Sequence, residues 1–184
     1  MTTAMSGDGL DVAPVDLALR DGRRVTVRAI READVSKLQD AIRALSVESR
    51  YARFFTPLRE LPPTLLARAT RPEPGRELQL VAAHAASDGE IIVGGARYTA
   101  LPTAGDCEFA VAIIDAWHGF GLARRLLELL IEHARAGGFE RMDGYVLTTN
   151  TRMLALAKRL GFTGSASSEG PTVRTVRRDL RAAP

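Results

Sequence analysis

The chain has 184 residues, of which 46% are hydrophobic and 26% charged, a balance typical of one globular domain with a sizeable core. Cys107 is the only cysteine, so no internal disulfide can form and we expect a cytoplasmic location. The formal net charge is +3, but the arginines are scattered without aromatic interleaving and no apolar run reaches the length of a membrane span, so neither nucleic acid nor a membrane is an expected partner.

The start of the chain predicts a tail and not a leader sequence. Residues 1–14 are small and polar, and they lack the basic start and apolar core of a signal peptide. We therefore predict that residues 1–14 form a mobile N-terminal tail and that residues 15–184 form a single domain.

Hydrophobic periodicity predicts eight strands and five helices in the rest of the chain. In chain order these are strands at 15–19 and 25–30, helices at 33–45, 48–55 and 62–70, strands at 78–86, 91–100 and 107–114, a helix from 122 to the stop at Gly137-Gly138, a strand at 142–147, a helix from the N-cap Asn150 to Gly161, and strands at 162–166 and 172–180. This order predicts an α/β fold of the α+β type, with a mixed, largely antiparallel central sheet and helices on both faces.

The strongest functional signal is the turn between the fifth strand and the fourth helix. Gly119 and Gly121 stand immediately before this helix, whose predicted apolar face contains Leu122, Leu126, Leu129, Leu130 and His133. Free backbone N–H groups and the positive end of the helix dipole make such a turn an anion site, usually for phosphate. A P-loop is excluded because no Lys follows either glycine, and the Rossmann motif is excluded because Arg124 occupies its third glycine position.

The turn HGFGLA, residues 118–123, resembles the Q/R-x-x-G-x-G/A signature of the acyl-CoA-dependent N-acetyltransferase superfamily, GNAT. The resemblance covers roughly residues 15–180 and implies the GNAT fold. Three segments carry a more specific resemblance, to the acetyltransferase domain of bacterial protein lysine acetyltransferases. They are LSVESRYARFF (45–55), EFAVAIIDAWHGFGLARRLL (108–127), and Asn150 with Met153 and the LGF of 160–162. Those proteins often carry a separate regulatory nucleotide-binding domain. The 184 residues of the chain leave no room for one, so we expect a stand-alone catalytic domain.

The resemblance implies acetyl-CoA as the acyl donor, with its pyrophosphate held by the backbone amides of the turn. The implied contacts are Val111, Ala112 and Ile113 along the pantetheine arm, the loop residues His118, Gly119, Phe120, Gly121, Leu122, Ala123 and Arg124, and Asn150. His118 and Phe120 stand where the family usually has Gln or Arg and a basic residue, which predicts somewhat weaker binding of coenzyme A. The three histidines have no metal-ligand spacing, so we expect no metal site.

Glu108 is the candidate general base. Strand alternation places Glu108, Ala110 and Ala112 on one face, where small neighbours leave space for a substrate. Alternation alone favours an ordinary glutamate at the start of a strand, paired with an arginine. The resemblance favours the catalytic role, because the family has its catalytic glutamate at the matching position of EFAV. The tyrosine that many relatives use as general acid is replaced by Ala157, an absence shared with the protein acetyltransferase branch.

These features predict an N-acetyltransferase that transfers the acetyl group directly to an amine, with a protein lysine as the expected acceptor. Acetylation of a small amine is an alternative within the same class of enzyme. A non-catalytic acyl-CoA-binding regulatory module is the alternative from another class, and a base facing the thioester argues against it. Cys107 has no activating partner nearby in sequence and is interpreted as a small buried hydrophobe.

Overall fold

The computed structural model describes residues 12–181, so residues 1–11 of the predicted tail lie outside the described part, while Val12 packs against the core. The strands are β1 Val15–Ala18, β2 Arg24–Ala29, β3 Glu77–Ala86, β4 Gly89–Ala100, β5 Asp106–Ile113, β6 Arg141–Leu147, β7 Thr163–Ala166 and β8 Val173–Asp179. The helices are α1 Val35–Ala44, α2 Val47–Phe54, α3 Pro63–Ala69, α4 Leu122–Ala136 and α5 Thr151–Arg159. Short 3-10 turns precede α1, at Glu32–Asp34, and α4, at Asp115–Trp117.

All eight strands form one sheet in the order β1-β2-β3-β4-β5-β6-β8-β7. Each neighbouring pair is antiparallel except β5 and β6, which are parallel. The predicted mixed, largely antiparallel sheet with helices on both faces is confirmed. No helix in the described part of the chain is long and apolar enough to cross a membrane.

The core lies mainly between the sheet and the pair α4 and α5, and a smaller cluster separates the sheet from α1. The predicted buried face of α4 is partly wrong: Leu129 and His133 are only half-buried. The buried residues of this helix are Leu122, Leu126, Leu127, Leu130, Ile131 and Ala134. The helix lies flat on a sheet, so its contact face is wider than a single stripe and is rotated toward Leu127 and Ile131.

The parallel pair β5 and β6 separates after a short contact. Asp106, Cys107 and Glu108 are in register with residues 141–143, and no pairing continues beyond Glu108. Residues 109–113 therefore pair with β4 on one edge only. A gap opens in the middle of the sheet, directly after Glu108, and it exposes main-chain groups of β5.

Candidate active site

The turn before α4 presents a row of unused backbone donors. Within residues 12–181, the N–H groups of residues 119–124 donate no hydrogen bond, and the first bond of the helix runs from Arg125 N–H to Gly121 O at 3.2 Å. Six successive free N–H groups at a helix N-terminus form a site for an anion.

Both glycines of the turn are required by the backbone. Gly119 has φ +85° and Gly121 has φ +94°, the left-handed region in which an L side chain is strained. A Cβ on Gly119 would meet no atom within 4 Å, and one on Gly121 would meet only the Nε of Arg20, at 3.8 Å. The space in front of the turn is therefore open, and it is edged by a guanidinium group.

The β1–β2 hairpin supports this turn from outside. The guanidinium carbon of Arg23 lies 3.8 Å from the ring centroid of Trp117 and 4.8 Å from that of Phe120, and its Nη2 donates to Ala116 O at 3.1 Å. The ring of Phe120 packs against the main core. The apolar residue at position 120 thus serves as a packing surface for the hairpin.

The side chains of the predicted loop contacts face several directions. Nε2 of His118 donates to the carbonyl of Ile113 at 2.8 Å, which ties the turn to the end of β5. Arg124 pairs with Glu128 at 2.7 Å on the exposed face of α4, as the i, i+4 spacing predicts. Leu122 is buried in the core and Ala123 packs against it, so these two residues offer the turn only their backbone groups.

The remaining predicted cofactor contacts lie at the gap in the sheet and at the start of α5. Val111 and Ile113 face the main core, whereas Ala112 faces the opposite side of the sheet. The side-chain oxygen of Asn150 accepts from Met153 N–H at 3.1 Å, which confirms its predicted role as N-cap of α5.

Glu108 lies at the point where β5 leaves β6. It is half-buried, and within the described part of the chain its carboxylate accepts no hydrogen bond. Burial raises the pKa of Glu108 above its ordinary value, and the positive charges of Arg53 and Arg97 only partly oppose this effect. A carboxylate that is poorly solvated and without a fixed partner can accept a proton from a substrate.

A cavity of about 410 Å³ lies between the sheet and helices α1 to α3, and it approaches Glu108 through Thr99, the β4 partner of Glu108, which lines it. Its floor includes Ala110 and Ala112, which share a sheet face with Glu108. Arg53, from α2, and Arg97, from β4, also line it. The predicted space beside the small residues of β5 is therefore present, with charged walls.

Three neighbours of the turn and of Glu108 are not marked by the sequence: Arg20 and Tyr145 lie in no motif, and Arg53 lies in the 45–55 segment of the resemblance without being singled out there. Arg20 and Arg53 come from distant segments, and only the folded chain places them at the turn and the cavity. Tyr145 follows Asp143 on the same face of β6; burial, and then the charge of Glu108, raise the pKa of this phenol, so it stays protonated at neutral pH. Alternation along β6, which puts residues 143 and 145 on one face, is the only sequence signal that could have found Tyr145.

Cys107 is fully buried, and burial raises the pKa of its thiol to about 12. A thiol with this pKa is not ionised at neutral pH and is no nucleophile. Within residues 12–181, no three His, Cys, Asp or Glu side chains are grouped as metal ligands.

Comparison with known proteins agrees with this geometry. A sequence model of the acetyltransferase (GNAT) family matches residues 40–162. Acetyltransferase PA5475 of Pseudomonas aeruginosa is 36% identical over 157 residues, which are 84% of this chain and 83% of that protein.

Solved structures give the same fold. The GNAT domain of S. lividans PAT superposes with a TM-score of 0.81 at 29% identity, over 90% of this chain and 96% of that one. The yncA acetyltransferase structure from Salmonella typhimurium, which contains its cofactor acetyl-CoA, superposes with a TM-score of 0.65 at 22% identity, over 87% and 97% of the two chains. The chain therefore belongs to the acetyltransferase (GNAT) family, and it is an enzyme that transfers an acetyl group from acetyl-CoA to an amine.

Proposed function

We propose that this enzyme acetylates a lysine side chain of a protein, by direct attack of the amine on acetyl-CoA with Glu108 as general base. The observation that carries the proposal is the position of Glu108, half-buried and unpartnered at the gap in the sheet and beside the cavity. The GNAT domain of S. lividans PAT superposes over nearly the whole length of both chains, which supports a similar catalytic domain.

In this proposal the acyl donor occupies the gap and the turn. The free N–H groups of residues 119–124 hold the pyrophosphate, and Asn150 contacts the cofactor from the start of α5. The pantetheine arm lies along residues 111–113, where its amides can pair with main chain that β6 leaves free. The thioester of acetyl-CoA then lies close to Glu108.

The acceptor amine enters from the cavity side. A lysine amine with a pKa of about 10.4 is almost entirely protonated at neutral pH, and exposing its lone pair at pH 7 costs about 4.6 kcal/mol. Glu108 accepts the amine proton, directly or through water. The amine nitrogen bonds to the carbonyl carbon, the carbon–sulfur bond breaks, and the sulfur leaves as thiolate, which then takes up a proton. Tyr145 is a protonated phenol near this point and can provide that proton.

The proposal includes a cytoplasmic location, supported by the single buried cysteine. A small-molecule amine is the alternative acceptor, favoured by the modest volume of the cavity. A regulatory acyl-CoA-binding module would not need an unpartnered carboxylate beside the thioester.

The test is Glu108→Gln, which keeps the size of the side chain and removes proton acceptance. The transfer rate to a lysine peptide should fall roughly 10²–10⁴-fold, while coenzyme A affinity, measured by calorimetry, should barely change. Because the pKa of Glu108 is raised, wild-type activity should rise with pH through that value. The variant should lose this limb and follow the free-amine fraction of the acceptor between about pH 6 and 10.

Glu140→Gln serves as a matched control because Glu140 is exposed and lies outside the cavity. Its rate and pH profile should equal those of the wild type. If Glu108→Gln retains a rate within about threefold of wild type and the same profile, Glu108 is not the base.

A further inference from the structure

The cavity next to Glu108 contains an arginine without a counterion. Arg53 projects from α2, is half-buried and lines the cavity. Within residues 12–181, no carboxylate lies within 4 Å of its guanidinium group, whose carbon lies 4.9 Å from the ring centroid of Phe54. A partly desolvated cation without a counterion is costly unless an anion joins it.

The charges around Arg53 add to this excess. Arg97 and Arg68 share one carboxylate, that of Glu77, at 3.1 Å and 3.7 Å. The charged side chains of the wall are therefore Arg53, Arg68, Arg97 and Glu77. Burial, and then the charge of Arg97, lower the pKa of Arg53 to about 10, so it remains positive at neutral pH.

This arrangement disfavours an acceptor that carries only an ammonium group. Ionised Glu108 neutralises one of the excess positive charges. An incoming ammonium group adds one positive charge and so brings the excess back. An acceptor that brings a carboxylate together with its amine offsets that repulsion and gives Arg53 a bidentate partner. Arg53 lines the cavity together with Ala110 and Thr99, the sheet neighbours of Glu108, so the two groups of one small acceptor segment can face both residues.

We propose that the acceptor presents a carboxylate close to its reacting amine, and that Arg53 binds this carboxylate while Glu108 faces the amine. The proposal rests on the acetyl-transfer function proposed above and specifies its acceptor. The carboxylate can come from the α-carboxyl group of a free amino acid or from an acidic residue next to a lysine in a protein. Arg53 binds and orients the acceptor and takes part in no bond change.

The experiment compares two matched pairs of acceptors that differ in one charge. The first pair is leucine and leucinamide; the second is a capped peptide with Glu after its lysine and the same peptide with Gln. Initial rates at saturating acetyl-CoA give kcat and KM for wild type, Arg53→Gln, Arg53→Lys and the control Arg24→Gln. Arg24 is exposed and lies outside the cavity. Each kcat/KM is referred to the free-amine fraction of its acceptor, so the different intrinsic pKa values of the amines within a pair do not enter the comparison.

In wild type, at least one carboxylate acceptor should exceed its neutral partner by about tenfold in kcat/KM, which corresponds to about 1.4 kcal/mol. Arg53→Gln should reduce this ratio to about twofold or less, through a higher KM for the carboxylate acceptor and, because one repelling charge is removed, through an equal or better rate with its neutral partner. Arg53→Lys should retain part of the ratio and Arg24→Gln all of it. The pair that responds identifies the source of the carboxylate: a response of the peptide pair supports a protein lysine as acceptor, and a response of the leucine pair alone would replace it by the small-amine alternative.

Three results would overturn the proposal. Equal kcat/KM within both pairs in wild type would remove the carboxylate preference and leave acetyl transfer intact. An equal loss of kcat for all four acceptors in Arg53→Gln would make Arg53 a donor to the reacting carbonyl instead. Absence of transfer to any of the four acceptors, with acetyl-CoA bound in calorimetry, would contradict the proposed function itself.

Discussion

At the scale of single residues, the positive charge beside the turn that precedes α4 comes from Arg20, which lies outside the HGFGLA segment. Phe120 occupies a position that is usually basic in the family, and its ring is used for packing under Arg23. Arg20, on the same hairpin, lies next to Gly121, and within the described part of the chain its side chain has no ion-pair or hydrogen-bond partner. A guanidinium at this place adds a charge-assisted contact to the backbone donors of the turn.

We therefore expect Arg20→Gln to weaken coenzyme A binding by about three- to tenfold at low salt, or roughly 0.7–1.4 kcal/mol. The loss should shrink as ionic strength rises, because the contact is exposed and screened. Calorimetric titration at two salt concentrations measures both effects.

Arg24→Gln is the matched control on the same hairpin, since Arg24 is exposed and does not contact the turn. Its affinity should equal that of wild type. An Arg20→Gln affinity that equals wild type at low salt would mean that the guanidinium does not reach the phosphates.

At the scale of elements, two contacts hold the gap and the turn in place. A Cβ on Gly144 would collide with the ring of Phe109, which itself packs 5.1 Å from Phe162. The ring therefore lies against β6 immediately after the last β5–β6 pair, Glu108 with Asp143. The missing side chain of Gly144 allows the aromatic ring to fill the space beneath the gap.

We expect Gly144→Ala to push Phe109 out of place and to destabilise the fold by about 1–3 kcal/mol, the usual cost of overpacking. The shift should also change the width of the gap and weaken coenzyme A binding. Denaturant unfolding and calorimetry measure the two effects separately.

The double variant Phe109→Leu with Gly144→Ala has room for the added methyl group. It should be more stable than the sum of the two single changes predicts, because the residues are in contact. Strict additivity, or unchanged coenzyme A affinity in Gly144→Ala, would contradict the role of Phe109 at the gap.

The second contact joins the cofactor turn to the helix that carries Arg53. Asp115, at the start of the turn, accepts from Ser46 N–H at 2.9 Å and from the hydroxyls of Ser46 and Ser49 at 2.8 and 2.9 Å. Ser46 is also the N-cap of α2. Burial opposes ionisation of Asp115, but these hydrogen bonds outweigh it and lower its pKa. One carboxylate thus holds together the turn before α4 and the start of α2.

At the scale of the whole molecule, a buried ionic cluster joins strands β2 and β4 to the start of α1. Arg28 on β2 bonds to both carboxylate oxygens of Asp34, at 2.7 and 3.0 Å, and also to Glu90 on β4. The side chains of Arg28 and Asp34 are 4% and 3% exposed. Removing Asp34 would leave the buried guanidinium of Arg28 with only the more exposed carboxylate of Glu90, and breaking a buried pair in this way costs more than the pair itself is stabilising.

We expect Asp34→Asn to lower the free energy of unfolding at pH 7 by about 3–5 kcal/mol. Burial opposes ionisation of Asp34, but hydrogen bonds from Arg28 and Arg31 lower its pKa below the unfolded value. Its contribution is therefore complete above the unfolded pKa of about 3.9 and is lost as pH falls through the lower, folded value. Urea unfolding between about pH 2 and 7 should show the two proteins converging in acid.

Asp40→Asn removes a carboxylate from an exposed pair with Arg43, in which the side chains are 69% and 52% exposed. This control should change stability by less than about 0.5 kcal/mol. An equal effect of the two substitutions, or a loss in Asp34→Asn that persists at acid pH, would contradict the role of the buried pair.

The amino-acid sequence alone determined the order of the elements and the position of the anion turn. Strand and helix ends agree with the predicted ends to within two residues, because periodicity, glycines and N-caps act over a few neighbouring residues. Gly119 and Gly121 also express a local requirement, that of a backbone at positive φ before a helix. The choice of Glu108 as candidate base followed from the family resemblance, and its role as base stays a prediction.

Only the tertiary structure decided what surrounds those residues. Arg20, Arg53 and Tyr145 are separated from the turn and from Glu108 by tens of residues. Arg53 lies in the 45–55 segment of the resemblance, but no short pattern places any of the three at the site. The gap after Glu108 depends on where β6 stops pairing, and the rotation of α4 depends on the width of the sheet beneath it. Such features arise from packing between segments distant in sequence, which also sets the desolvation and the neighbouring charges that govern a pKa. Local propensity has no information about them.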